Sequence, residues 1–318
     1  MDENAVGPHR IAKELGARLE TLVPGYAALR SYDPSSLRMD LAAGIVLTAM
    51  LVPQGMAYAA LAGLPPVTGL YATCVPLLAY AVFGPSRILV LGPDSALAPL
   101  VAAAVVPVAV DESERVEVAG MLALMVGGIL LAGSLARLGF LTDLLSRPVR
   151  TGYLAGIAVV IIIEQTPNLL GYSIAEDDLL NDVVHVIEGL SDVDTTTAAI
   201  GLGCLAVILG GRRISPFLPG ILLAVVGATL AVGAFDLEVS VLGEVPGGLP
   251  SPRIPSASVE IGSLALSALA ISLIAFADTS VLSRTYAAKT RTPVDPNQEM
   301  IGLGAANLAG GFFQGFPI

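Results

Sequence analysis

Three groups of residues in this sequence place polar chemistry among apolar neighbours. The first lies in "GPSRILVLGPDSALAPL", residues 84–100, where Gly92, Pro93, Asp94, Ser95 and Ala96 follow the extended-type run "ILVLG" and lead into the helix-like run "SALAPLVAAAVV". A chain that turns from extended to helical at such a joint presents the unpaired N–H groups and partial positive charge of a helix start, which suits an anion. A proline-kinked but continuous helix is the competing reading. The second group is Gln54 and Tyr58 in "GIVLTAMLVPQGMAYAALAG". One helical turn apart, they share a face and serve either to contact a substrate or to glue two helices together. The third is Asp278 with Thr279 in "LALSALAISLIAFADTSVLSR". A carboxyl in an apolar run binds a proton or a coupling cation, or else sits in a permanent ion pair or helix-end contact. Asp94 differs: beside the helix start its carboxylate caps orphan N–H groups.

Other reactive residues form no pattern. The apolar runs contain no Ser-His, Cys-His or His-x-Glu constellation, so no catalytic residues are assigned and the chain is not read as an enzyme. Cys74 and Cys204 lie in separate apolar runs without metal-ligand spacing and read as small buried hydrophobes. No metal or cofactor is expected beyond a coupling ion, H+ in preference to Na+. His9 and His185 fall in polar segments and carry no assigned role, and Glu164 snorkels from the end of its run.

These residues must be positioned by membrane helices. Hydrophobic residues make up 54% of the chain and charged residues 14%, and apolar runs near twenty residues recur, which describes a polytopic membrane protein. The first forty residues lack the apolar centre of a cleavable signal peptide, so the first span directs insertion and the N-terminus stays in the cytosol of a cell (inner) membrane protein. The runs give about nine spans, at 41–62, 66–83, 88–110, 118–138, 149–170, 196–211, 216–235, 260–282 and 298–316. With that count, all of the 16 Lys and Arg residues fall in cytosolic segments except Arg115 and Arg253, as the positive-inside rule requires. The segment 175–194, read as a wet outer loop, has no Lys or Arg, and the net charge of -11 belongs mostly to outer loops.

The third span is expected to be discontinuous. Five extended residues cover about 17 Å and ten helical ones about 15 Å, near the roughly 30 Å of hydrocarbon, which puts the joint close to the midplane. Non-helical backbone at that depth must be surrounded by protein or reached by water, and such broken spans hold the substrate in secondary transporters. Asp278 and Thr279 echo the place of Gln54 in the first span, and "FFQGFPI" echoes "AVFGPS". If the echo marks a repeat, the first unit has an odd number of spans and the second enters the membrane inverted.

The stretch from Asp40 to about Leu100, "DLAAGIVLTAMLVPQGMAYAALAGLPPVTGLYATCVPLLAYAVFGPSR" with the following "GPDSALAPL", resembles the signature region of the SulP anion transporters, the solute carrier 26 family, and "NQEMIGLGAANLAGGFFQGFP" at 297–317 is similar to that family's ninth span. Thr68, Ala79 and Pro85 depart from the signature, a matter of local packing. The resemblance implies an all-α polytopic fold of seven-plus-seven inverted repeats, with core and gate domains, discontinuous third and tenth spans, and a cytosolic STAS domain beyond the end of this chain. Residues 1–40 are then an N-terminal cytosolic segment, 41–258 the first repeat (core spans 1–4, gate spans 5–7), and 259–318 the start of the second, stopping before the tenth span. By the same resemblance, Gln54, Tyr58, Gly92, Pro93, Asp94, Ser95, Ala96 and Asp278 surround the substrate, and Asp278 with Thr279 holds the coupling ion.

The function expected is alternating-access, proton-coupled uptake of a small carboxylate such as fumarate, with sodium-coupled bicarbonate or sulfate transport, or an anion channel or membrane motor, as alternatives. The partners are a small anion, the lipid bilayer and a second copy of the chain in a homodimer, with no role for nucleic acid. Inverted repeats put 111–117 outside and 284–291 inside. In a protein lacking Cys74 and Cys204, an impermeant thiol reagent applied from outside should therefore modify Ser113→Cys and spare Lys289→Cys; the reverse pattern refutes the orientation.

Overall fold

The computed structural model describes residues 23–143, 147–172, 179–214, 220–241, 247–256, 261–290 and 294–318. His9, Arg10, Lys13, Arg18 and Arg291, on which the charge argument drew, lie outside them. The described residues are helical, with no strand among them. Eleven α-helices run in order: α1 (Pro24–Arg30), α2 (Leu37–Leu61), α3 (Pro66–Phe83), α4 (Ala98–Val105), α5 (Glu112–Leu135), α6 (Arg147–Leu170), α7 (Leu179–Glu188), α8 (Thr195–Ile214), α9 (Gly220–Phe235), α10 (Ile261–Thr290) and α11 (Pro296–Phe312).

Each of the nine expected spans overlaps one of these helices, with α3 covering the expected 66–83 end to end. Prolines start helices where their missing N–H costs nothing, at Pro24, Pro66 and Pro296, and Asp295 accepts from Asn297 N at 2.8 Å to cap α11. By length and composition, four helices among the described residues can cross a membrane unaided, spanning 34–61, 66–83, 112–135 and 262–284. The other segments are too short or interrupted for that test: α4 has 8 residues, α9 has 16, and α8 follows a bend of 119°. Leucines and isoleucines such as Ile45, Leu78, Leu266 and Leu230 are exposed, an apolar surface of the kind that hydrocarbon covers on a membrane span.

Three expectations need correction. Cys74 is exposed and Cys204 half-buried, so neither is the buried small hydrophobe expected; each sits on an outward face of its helix, which an apolar run alone does not reveal. The segment 175–194 contains the helix α7 rather than only loop, because Leu179, Val183, Val186 and Ile187 recur at helical spacing among its acids; the charge pattern alone concealed that stripe. The half-helix of the third span begins at Ala98, four residues beyond Asp94, and the preceding run 88–92 pairs with no strand among the described residues.

The chain gathers into two compact units. One comprises Met1–Gly44, Gln54–Leu145 and Pro246–Ile318; the other comprises Ile45–Pro53 and Ser146–Val245. In the second unit α6 packs on α7 and α8, and α8 on α9. Asp194 caps α8, accepting from Thr197 N at 2.8 Å and from the Thr197 hydroxyl, which holds its carboxyl below the usual range. In the first unit α5 lies at the centre, against α11, α10 and α4, with Val118, Leu122, Val126 and Leu130 fully buried.

Backbone contact makes that centre possible. A Cβ on Gly127 would lie 2.8 Å from Gly304 O, and one on Gly311 would lie 2.7 Å from Gly120 O, so α5 and α11 run antiparallel and touch at two glycine pairs one heptad apart. Glycines allow this approach because lipid tails supply no hydrophobic drive between helices and packing must do so. Gly128, the next residue, meets nothing within 4 Å. Gly127→Ala should therefore destabilise the protein in detergent, overpacking by about 1–3 kcal/mol and outweighing a helix-propensity gain of about 1 kcal/mol. Gly128→Ala should leave the melting temperature level or higher; equal effects would refute the contact.

Candidate functional site

Within the first unit, the irregular stretch ahead of α4 meets the middle of α10 at a cleft of about 60 Å³ whose walls include Gly92, Asp94, Leu97, Asp278, Thr279 and Ile318. Four of the expected site residues, Gly92, Asp94, Asp278 and Thr279, are thus brought together from two segments far apart in sequence. Pro93, Ser95 and Ala96 are not part of this wall, and the first and last of these are buried behind it.

Local geometry explains why the chain turns here. Asp94 Oδ1 accepts from Ala96 N at 2.8 Å, and its backbone carbonyl accepts from Leu97 N at 3.2 Å and Ala98 N at 3.0 Å. One residue therefore closes the Asp94–Leu97 turn that leads into α4 with both side chain and main chain. Upstream, Ser86 Oγ accepts from Leu89 N at 3.2 Å, replacing the bonds a helix would have supplied. Gln54 and Tyr58 are half-buried on α2 and bonded to each other, Nε2 donating to Oη at 3.3 Å, and neither lines the cleft.

The cleft is electrostatically lopsided: it has two carboxyls and no basic side chain. Asp94 uses its charge on the backbone of its own turn. An anion entering beside Asp278 meets repulsion unless a proton or other cation accompanies it, or a basic group reaches in from elsewhere.

Two buried polar residues escaped the sequence reading. Glu299 is fully buried, with Tyr80 Oη donating to its Oε1 and Ser283 Oγ donating to its Oε2 at 2.8 Å. It stands in the first turn of α11, where a glutamate passes for an ordinary capping residue, yet it is the sole ionisable residue of Pro296–Phe312. An isolated carboxyl next to an apolar run was the available signal. Asn307, also fully buried, donates from Nδ2 to Leu303 O and to Ile318 O, each at 3.0 Å, and accepts from Ile318 N at 3.0 Å. It fixes the extended residue that forms one wall of the cleft.

The sulfate permease family model matches residues 37–318. The chain belongs to that family. A probable sulfate transporter of Mycobacterium tuberculosis is 39% identical over 300 residues, covering 93% of this chain and 54% of that protein, so the chain spans about half the length of this relative. Among solved structures, the murine solute carrier 26 family member A9 anion transporter in the inward-facing state superposes with a TM-score of 0.87 at 24% identity, over 99% of this chain and 56% of that one. The transmembrane domain of the cyanobacterial bicarbonate transporter BicA gives 0.78 at 23% identity, over 90% of this chain and 74% of that one. These structures share the fold, and the resemblance drawn from residues 40–100 and 297–317 is confirmed at the level of family.

The capping geometry at Asp94 gives a direct test. Asp94→Asn keeps the acceptor for Ala96 N and should melt within a degree or two of the parent, whereas Asp94→Ala should lose about 1 kcal/mol. Equal losses would place the importance of Asp94 in its charge rather than its cap.

Proposed function

We propose that the protein is a secondary active anion transporter that works by alternating access and couples uptake to protons. The observation that carries this reading is the Asp94–Asp278 cleft: two carboxyls, no base, and the start of a half-helix in one small space. Oriented N–H groups attract the anion, and protonation of Asp278 removes the charge that would repel it. The family supports the class of activity, and the division into two compact units supports motion of a core against a gate. Spans 1–4 with 8–9 fall largely in one unit and spans 5–7 in the other, in keeping with repeats whose partners lie beyond Ile318. An inner-membrane protein with a cytosolic N-terminus, an attached STAS domain and a homodimeric assembly completes this reading.

On the substrate, the fumarate expected from sequence competes with sulfate, which the name of the mycobacterial relative favours, and with bicarbonate, transported by BicA. Sulfate is the first anion to assay. Sodium coupling or channel activity is the alternative mode.

Asp278→Asn in the full-length protein mimics a permanently protonated carboxyl. In reconstituted vesicles it should retain anion counterflow and lose accumulation driven by an imposed proton gradient. A variant that still concentrates the anion when the outside is acidified refutes Asp278 as the coupling site.

A further inference from the structure

A second buried carboxyl lies one step from the cleft, and polar side chains extend from it in both directions. On one side Glu299 is bonded to Tyr80 Oη, and Tyr80 together with Ser86 and Arg87 lines a separate cavity of about 390 Å³ at the end of α3. On the other side Glu299 is bonded to Ser283, which lies on α10 one helical turn from Thr279, itself a wall of the cleft beside Asp278. In that same turn is Ser280, buried at 3% exposure, whose hydroxyl is the one buried side-chain oxygen or nitrogen without a hydrogen-bond partner among the described residues. Unpaired buried hydroxyls are costly, and this one lies three residues before Ser283, at the spacing of helical neighbours and on the face away from Asp278.

We propose that Glu299 is a proton-relay group joining the Tyr80–Ser86–Arg87 cavity to the Asp278 cleft. The proposal rests on the proton-coupled reading above and adds the route. Among the described residues Tyr80 and Ser283 hydrogen-bond the Glu299 carboxylate; α10 also carries Asp278, Arg284, Tyr286 and Lys289, α3 carries Tyr71 and Cys74, the acids and Arg115 of α5 stand in its first two turns, and α11 has no other ionisable residue. Each carboxylate oxygen therefore has a hydroxyl partner, the arrangement of a transfer station.

The transfer balances. Tyr80 passes its hydroxyl proton to Glu299 Oε1 and takes one from the cavity. The carboxyl turns about its Cγ–Cδ bond and gives the proton to Ser283, whose own proton moves over the Thr279 hydroxyl to the Asp278 carboxylate. Every hydroxyl ends with the proton count it began with; one proton has left the cavity and one has reached Asp278. From Ser283 to Asp278 the last stretch covers about 7.5 Å along α10.

The test uses the full-length protein in vesicles, with whichever of labelled sulfate, fumarate or bicarbonate the parent transports, and compares Tyr80→Phe, Ser283→Ala and Glu299→Gln with the parent across a pH series. Gradient-driven uptake should slow about tenfold or more, while counterflow exchange, which needs no net proton movement, stays within about twofold of the parent. Tyr80→Phe keeps the ring and so guards against a Glu299→Gln protein that fails to fold. Equal loss of both activities assigns Glu299 a structural role and overturns the relay. A proton-driven parent with unaffected variants overturns the relay alone. A parent that exchanges its anion but ignores the gradient overturns the coupling reading and the relay with it.

Discussion

Two helices meeting backbone to backbone determine most of what surrounds them. Where Gly120 and Gly127 of α5 face Gly311 and Gly304 of α11, no side chain separates the helices. In a bilayer, where burial among lipid tails gives no preference for a protein neighbour, such contact supplies the dispersion and orientation that water would otherwise enforce. The same close approach recurs between α2 and α3, where a Cβ on Gly69 would fall on the carbonyl of Gly55. Helices held this tightly have little room to slide, so polar groups projecting between them meet partners at fixed places.

That rigidity makes the buried polar groups affordable. Glu299, Asn307 and Ser134 each reach a partner on another segment: Glu299 to Tyr80 and Ser283, Asn307 to Ile318, and Ser134 Oγ to Asn297 O at 2.8 Å. A hydrogen bond between segments forms at low entropic cost once packing has fixed both. The irregular backbone of residues 88–97 is held for the same reason, lying against α10 on one side and bonded by Ser86 and Asp94.

Much of this was legible in the sequence, and the limits have physical causes. Helix positions followed from apolar runs and prolines because a membrane span must satisfy its own backbone, which ties length to hydrophobicity. Gly92, Asp94, Asp278 and Thr279 were found because polar residues in apolar runs are rare. Glu299 was missed because a first-turn glutamate has an innocent explanation, and only its partner Tyr80, 219 residues earlier, shows otherwise. The helix α7 was missed because acidity was allowed to outweigh a recurring apolar spacing. The pairing of Gln54 with Tyr58 was anticipated as a shared face, but whether a pair of side chains looks toward a ligand or toward each other depends on neighbours that spacing does not encode.

Asn307 gives one wall of the cleft an unexpected origin. By donating to the carbonyl and accepting from the amide of Ile318, its side chain imitates a neighbouring strand and pins both backbone polar groups of one residue, as a rung does in a ladder. The helix α11 contributes none of its own residues to the cleft, yet through this rung it decides where Ile318 stands. Sequence drift inside α11 would consequently move a wall of the cleft, and two relatives with identical cleft residues would differ in its shape because of a helix that contributes nothing to its lining.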